Sequence, residues 1–237
     1  KMGRAFEYRK AAKFARWDKM AKAFTRAGRE IAMAVKEGGP SPDTNPNLRR
    51  AMQNAKNAQM PKDRIEAAIK RASSKDDKGF AIVVYEAMGP HGTAIVIECA
   101  TDNPTRTVAN LRATLNKGGG SMGTQGMHDF IFERKGVFKI SATNVDAEEL
   151  EFELIDAGLD SLEKDDENHL ILYSKFSDFG SLQKALEDKN IEVLNAELQR
   201  IPTIHKELNE EQTDEVLELI DKLEQDDDVQ TVFHNLA

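Results

Sequence analysis

The spacing of apolar residues changes at Phe80, where a helical period gives way to strand-like runs. Before that point Phe24, Ile31 and Val35 belong to a series that recurs every three or four residues, which is the period of an α-helix. After it, the runs FAIVVYEAM and GTAIVIECA are short, rich in β-branched residues and separated by the turn residues GPHG, which predicts a hairpin of two strands. A helical region followed by mixed structure places the chain in the α+β class.

The helical region is predicted to contain three helices. The first ends at Gly38-Gly39-Pro40, where two glycines and a proline interrupt the pattern. A second begins at Asn45-Pro46, which supplies a capping side chain and a proline in the first turn, and a third begins after Pro61. The polar stretch SSKDDKG then separates a helical bundle of residues 1–78 from the rest.

The rest of the chain predicts two α+β units of similar type. Residues 79–140 provide the hairpin, a helix that begins after TDNP and the strand MHDFIFERK, but they lack one helix and one strand. Residues 141–200 contain a complete second set, and the missing helix and strand follow in residues 201–237. We therefore expect three domains: residues 1–78, residues 79–140 plus 201–237, and residues 141–200 inserted into the second domain. Both α+β domains are expected to be ferredoxin-like.

Charge is strongly segregated along the chain. Residues 1–78 contain 20 Lys and Arg against 9 Asp and Glu, whereas residues 141–237 contain 7 against 27, so the formal net charge of −8 hides a basic and an acidic part. Closely spaced cationic side chains bind polyanions by displacing counterions from phosphates. Nucleic acid is the predicted partner of the basic part. The acidic part predicts a solvated surface, or else a surface that mimics nucleic acid or docks to a basic protein surface.

The predicted phosphate contacts are the lysines and arginines on the polar faces of the three helices; the alternative is an ordinary solvated helix surface. The predicted set is Arg9, Lys10, Lys13, Arg16, Lys19, Lys22, Arg26, Arg29, Arg49, Arg50, Lys56, Lys62, Arg64 and Arg71.

A secondary anion site is predicted at the helix that follows TDNP. Arg106 and Arg112 lie in or near its first turns, and a helix N-terminus favours anions. The glycine-rich loop after it would contribute Lys117, Gly119 and Gly120. The simpler alternative is that TDNP only caps the helix. A phosphate-binding P-loop is excluded because no GK[ST] follows the glycines.

The sequence gives little support for catalysis. A hydrolytic or metal site can be drawn from Glu98, Cys99, Asp102, His91 and His128, but Cys99 ends an apolar strand and is better explained as a core residue. No spacing typical of a nucleophile with its base, or of a zinc site, is present. We predict no enzyme activity, no cofactor and no metal.

The absence of a cysteine pair and of a membrane-spanning run predicts where in the cell the protein is located. The single cysteine is typical of a reducing compartment, and no apolar run approaches the roughly 20 residues of a membrane span. We expect a cytoplasmic protein without a membrane partner. The basic, amphipathic opening leaves the mitochondrial matrix as an alternative.

Several segments in this order resemble the YebC/PmpR family of probable transcriptional regulators: MPKDRIEAAIKRA, GPHG, TDNPTRT and GGGSMG. The relatives of this family include the mitochondrial translational activator of cytochrome c oxidase subunit I. The resemblance implies three domains and association with nucleic acid rather than catalysis. It fails at the opening, where GRAFEY stands in place of the family's usual glycine-histidine-serine-lysine-tryptophan stretch. A contact by that histidine or lysine is therefore not carried over.

The functional expectation is a non-enzymatic regulator of transcription that binds DNA through its basic N-terminal domain. The alternative is a translation factor that associates with the ribosome and binds ribosomal RNA or mRNA. Phosphate contacts suit duplex DNA and structured RNA equally, so the residues leave both open. They also leave the oligomeric state open.

Overall fold

The computed structural model of the protein describes the backbone of residues 4–237 and the side chains of residues 19–237. The helical region contains α1 (Arg4–Gly38), α2 (Pro46–Asn57) and α3 (Lys62–Ala72). Asn45 caps α2 by accepting a hydrogen bond from the Leu48 amide at 3.0 Å, and Pro46 occupies the first turn. The predicted helix starts at Asn45-Pro46 and Pro61 are confirmed.

The three helices bury a common apolar core. Ile31 and Val35 of α1 pack with Leu48 of α2 and Ile65 of α3, and all four are buried. The helical spacing of these residues puts them on the inner faces, so the charged residues lie on the outer faces. No helix among the described residues is long and apolar enough to cross a bilayer.

Two α+β domains follow the bundle. Their elements in chain order are β1 (Ala81–Met88), β2 (Ala94–Thr101), α4 (Pro104–Lys117), β3 (Ser121–Met122), β4 (Phe132–Ser141), α5 (Ala147–Leu154), β5 (Leu159–Lys164), β6 (His169–Lys175), α6 (Phe179–Asp188), β7 (Val193–Pro202), α7 (Glu210–Glu224) and β8 (Val229–His234).

The first sheet has the strand order β3-β1-β2-β8, and each neighbouring pair is antiparallel. Helices α4 and α7 supply Leu111, Leu115 and Leu223 to a core shared with Ile97 of β2. Because α7 and β8 come from the last 28 residues, the chain returns to complete a sheet that it began at residue 81. The predicted insertion of one α+β domain into the other is confirmed.

The second sheet has the order β5-β6-β4-β7, with α5 and α6 packed on one face. Its elements follow the chain order β-α-β-β-α-β, which is the ferredoxin-like pattern. In the first sheet the two central strands, β1 and β2, are instead consecutive and joined by a tight turn. The two sheets therefore share an antiparallel α+β architecture but differ in strand connection.

One strand was assigned to the wrong sheet by the sequence analysis. The prediction placed MHDFIFERK in the middle domain, but β4 continues to Ser141 and pairs with β6 and β7 of the second sheet. The reason is that Phe138 and Ile140, just beyond that segment, are fully buried in the second core. The chain passes between the sheets at residues 123–131 and 203–209, so the expected boundaries at 140 and 200 fall inside paired strands.

Candidate nucleic-acid interface

The second half of α1 lies against the first α+β domain, and basic residues of α1 make the contact. Arg29 Nη1 lies 2.8 Å from Asp228 Oδ1 and also donates to the carbonyl oxygen of Ala100. The same guanidinium stacks over the ring of Phe80, 4.8 Å from its centroid. Arg29 is therefore a contact between domains, with only 15% of its side chain exposed.

The next basic residues toward the N-terminus of α1 face the turn between α7 and β8. Arg26 Nη2 donates to the carbonyl oxygen of Glu224 at 3.0 Å, and Lys22 lines the same crevice as Asp226 and Asp227. This turn places acidic side chains opposite the basic helix face that carries Lys22 and Arg26.

Asp228 is the centre of this contact. Its Oδ2 accepts hydrogen bonds from Arg106 at 2.8 Å, Thr107 at 2.8 Å and Thr101 at 3.1 Å, while its Oδ1 accepts from Arg29. Only 4% of the side chain is exposed. Burial alone would raise the pKa of Asp228, but the hydrogen bonds from Arg106, Arg29 and Thr107 lower it to about 2. The carboxylate stays charged and ties α1, α4 and β2 together.

Helix α2 lies against the second α+β domain. Arg49 makes a two-pronged contact with Glu187 of α6, with distances of 2.9 Å and 3.2 Å. Asn54 pairs with both main-chain groups of Ala196 on β7, donating to its oxygen at 2.9 Å and accepting from its amide at 3.0 Å. β7 is an edge strand of its sheet. Asn54 pairs with the exposed main-chain groups of this edge at Ala196, as a neighbouring strand would.

Arg50 lines a cavity that residues of all three domains surround, among them Glu98 and Glu197. Its Nε is 3.9 Å from Glu30 Oε1, and its guanidinium stacks over Phe179 at 5.0 Å. Burial lowers the pKa of Arg50 and raises the pKa of Glu30, because both charged forms lose water in this environment. Arg50 therefore contributes to the contact between α2 and the second α+β domain.

The remaining basic residues include a group at one end of the bundle. Lys19, Lys56, Lys62 and Arg64 are all exposed. The Arg64 guanidinium lies 5.7 Å from the ring of Phe24, which brings the start of α3 to this part of α1. Ala23 and Ala58 line one cavity, so the end of α2 lies here too. We call Lys19, Lys56, Lys62 and Arg64 the basic tip.

The predicted phosphate contacts therefore separate into groups that the sequence did not distinguish. The side chains of Arg9, Lys10, Lys13 and Arg16 lie outside the described residues. Arg71 is exposed near the C-terminal end of α3, away from the basic tip.

Five of the predicted phosphate contacts face the two α+β domains, and their binding to phosphate stays a prediction: Lys22, Arg26, Arg29, Arg49 and Arg50. The helical spacing predicts that these residues share polar faces, but it does not predict which domain contacts those faces. The opposite charge of the C-terminal part is the sequence signal that could have indicated this docking.

The predicted secondary anion site is not formed as one site. Asn103 caps α4, as expected, by accepting from the Arg106 amide at 3.1 Å. However, Arg106 lies at the start of this 14-residue helix and Gly119 and Gly120 follow its end, which separates them by roughly 20 Å at 1.5 Å per residue. Arg106 is also paired with Asp102 at 2.9 Å and Asp228 at 2.8 Å. It acts as a structural residue, and exposed Arg112 and Lys117 stand apart from it.

The side chains considered for catalysis do not converge. Cys99 is buried in the first core, and burial raises the pKa of its thiol to about 12, so it does not form a thiolate nucleophile. His128 is buried with Nε2 2.8 Å from the Ala87 oxygen, whereas His91 lies 2.6 Å from Glu215 on α7. Each histidine is explained by its own local contact.

Three potential metal ligands lie together in the turn between β5 and β6: Asp165, Glu167 and His169. The ammonium group of Lys139 lies 3.6 Å from Asp165 and 3.7 Å from Glu167. A lysine in this position already balances the carboxylates, so the arrangement is explained as a surface network of ion pairs.

Comparison with known proteins covers nearly the whole chain. Residues 4–75 match the family model described as the TACO1/YebC protein N-terminal domain, and residues 80–236 match the model described as the TACO1/YebC second and third domain. The division between the two models falls in the polar stretch between α3 and β1.

Curated relatives match over their full length. A protein of Cytophaga hutchinsonii is 55% identical over 100% of this chain and 99% of its own, and one of Flavobacterium johnsoniae is 52% identical over 99% of each chain. Both are named "Probable transcriptional regulatory protein".

A solved structure shares the architecture. The crystal structure of a conserved hypothetical protein from Aquifex aeolicus is 33% identical and aligns with a TM-score of 0.78, over 92% of this chain and 90% of that one. The chain belongs to the TACO1/YebC family.

Proposed function

We propose that this protein is a nucleic-acid-binding regulator of transcription that holds the phosphates of duplex DNA with its basic tip. The observation that carries the proposal is the arrangement of Lys19, Lys56, Lys62 and Arg64, which come from three helices and are all exposed. Among the described residues, no carboxylate of the α+β domains pairs with these four side chains, in contrast to Arg29 and Arg49.

The basic tip suits phosphate binding in physical terms. Lysine ammonium groups are flexible point charges, and each phosphate that they neutralise releases condensed counterions from the duplex. Such contacts fix the position of a protein on the nucleic acid but read little sequence. The sequence before Lys19 carries four further predicted contacts, Arg9, Lys10, Lys13 and Arg16, whose side chains lie outside the described residues.

The names of the relatives support the regulatory part of the proposal, since the two quoted above are called probable transcriptional regulatory proteins. Phosphate contacts alone serve RNA as well as DNA, so a role at the ribosome is the competing explanation. We expect regulation to follow from binding, without a chemical reaction on the nucleic acid.

The test is the salt dependence of duplex binding by a double variant, Lys56→Gln with Lys62→Gln. Because each lost phosphate contact flattens the plot of log K against log salt by roughly 0.9, we expect the slope to fall by about 1.8 and the affinity to fall with it. The measurement is a fluorescence anisotropy titration at several salt concentrations.

The matched control removes two lysines from the acidic part, Lys184→Gln with Lys222→Gln. Both lysines are exposed and sit in ion pairs one helical turn long, with Asp188 and Glu218. The control changes the net charge equally, so only a local effect distinguishes the two variants. Equal slopes for the two variants would contradict the proposal.

A further inference from the structure

The contact between α2 and the inserted domain, residues 132–202, is polar and partly open to water. The side chains of Arg49 and Glu187 remain 35% and 37% exposed although they pair closely. Asn57 donates to the carbonyl oxygen of Leu194, and Gln183 donates to that of Pro46 at 3.0 Å. The contact consists of these amide hydrogen bonds, the partly exposed ion pair and the stacking of Arg50 over Phe179, and such a polar contact resembles a transient interface more than a permanent core.

The packing at this contact is also incomplete. A cavity of about 380 Å³ lies between α2 and the inserted domain, and Gln53, Ile191 and Val193 are among its lining residues. Because this cavity is open to solvent and not filled by side chains, the two surfaces are only partly packed against each other.

The inserted domain is joined to the first α+β domain by two neighbouring segments, residues 123–131 and 203–209. They are held side by side because the Thr203 amide donates to the Ile131 oxygen at 2.8 Å. One further ion pair, Arg200 with Glu98 at 3.1 Å, lies near this connection. Rotation about the paired segments would move the inserted domain away from α2 while leaving both sheets intact.

The charge of the inserted domain opposes that of the bundle. Residues 132–202 contain 17 Asp and Glu against 8 Lys and Arg. The two-pronged contact of Glu187 with Arg49 has the geometry by which arginine also binds a phosphate group. A phosphate and Glu187 would therefore compete for the same guanidinium.

We propose that the inserted domain is an acidic gate over α2, which occupies Arg49 in the docked arrangement and swings away when nucleic acid binds. This inference rests on the proposed function, because it names nucleic acid as the competitor. When the inserted domain moves away, Arg49 and the face of α2 that it covered become free to bind phosphate. The phosphate-binding surface then extends beyond the basic tip. By linkage, docking weakens nucleic-acid binding by the same factor as nucleic acid weakens docking.

The experiment compares Glu187→Gln with Glu153→Gln in the full chain. Glu153 pairs with Lys189 at 2.6 Å inside the inserted domain, so its loss changes the net charge equally and leaves the contact with α2 alone. The first readout needs no ligand: the Ala196 amide donates to Asn54 only while the gate is docked. Its hydrogen exchange, followed by NMR, should be about two- to fivefold faster in Glu187→Gln than in Glu153→Gln, the range expected for one exposed ion pair.

The second readout is the affinity for a duplex oligonucleotide, which should be about two- to fivefold tighter for Glu187→Gln than for Glu153→Gln. Equal exchange rates at Ala196 would overturn the gate. Faster exchange with equal affinities would overturn its competition with nucleic acid. Failure of the wild type and both variants to bind any duplex would instead overturn the proposed function, while the exchange rates would still decide whether the inserted domain opens.

Discussion

At the scale of single residues, Asp228 is an acidic side chain that connects separate elements of the fold. It is the last of three consecutive aspartates in EQDDDVQ, and its neighbour Asp227 is exposed. The turn after α7 directs Asp228 inward, because its amide donates to Asp226 Oδ1 at 2.9 Å. Its carboxylate then reaches Arg29 of the bundle and Arg106 of α4. One side chain therefore links the helical domain to the first α+β domain.

Replacement of Asp228 by Asn should lower the free energy of unfolding at neutral pH by about 3 kcal/mol, because it leaves Arg29 without its buried partner. The matched control is Asp227→Asn, which removes the same charge from an exposed position. Denaturant titrations of both variants measure the difference. A loss no larger than that of the control would show that the Asp228 network contributes little.

The pH dependence of the same variants follows from the pKa of Asp228. Since folding lowers this pKa from 3.8 to about 2, the carboxylate stabilises the folded state above pH 4. That contribution is lost as the pH falls from about 4 towards 2, when the buried carboxylate becomes protonated. The wild type should lose stability over this window, and Asp228→Asn should lack this part of the loss.

At the scale of secondary structure, the elements were largely predictable, whereas only some of their partners were. The starts of α2 and α4 follow from Asn45-Pro46 and Asn103-Pro104, because capping is local. The assignment of β4 failed because a strand's alternation shows which residues are buried but not in which of two sheets. Likewise, nothing in the sequence of α2 distinguishes Asn54, which pairs with β7, from the neighbouring Gln53. Such contacts depend on packing between distant segments.

The return of the chain through α7 and β8 gives a prediction at this scale. A chain truncated after residue 205 would leave Ile97 and Leu115 without Leu223 and the rest of α7 that covers them. We expect the amides of β2 to lose most of their protection against hydrogen exchange. The second sheet provides the internal control, since β4 to β7 all precede the truncation. Native protection of β2 in the truncated chain would contradict the completion of the first sheet by α7 and β8.

At the scale of the whole molecule, the opposite charges of the two halves have a structural explanation. Part of the basic surface is balanced by the acidic domains at Arg29–Asp228 and Arg49–Glu187, whereas the basic tip is not. The sequence alone predicts a polyanion partner for all of residues 1–78. Among the described residues of the predicted set, Lys19, Lys56, Lys62, Arg64 and Arg71 are exposed, and the first four form the basic tip.

The most direct test of the central claim is to crosslink nucleic acid from the basic tip inside cells. A photo-reactive amino acid at Lys62, which is 88% exposed, would be compared with the same group at Lys184, which is 73% exposed on the acidic part. Sequencing of the captured nucleic acid should show crosslinks from the Lys62 position and few from the Lys184 position, with promoter DNA enriched. Equal capture from both positions would contradict the basic tip as the binding surface, and capture of ribosomal RNA without promoter DNA would contradict a role in transcription.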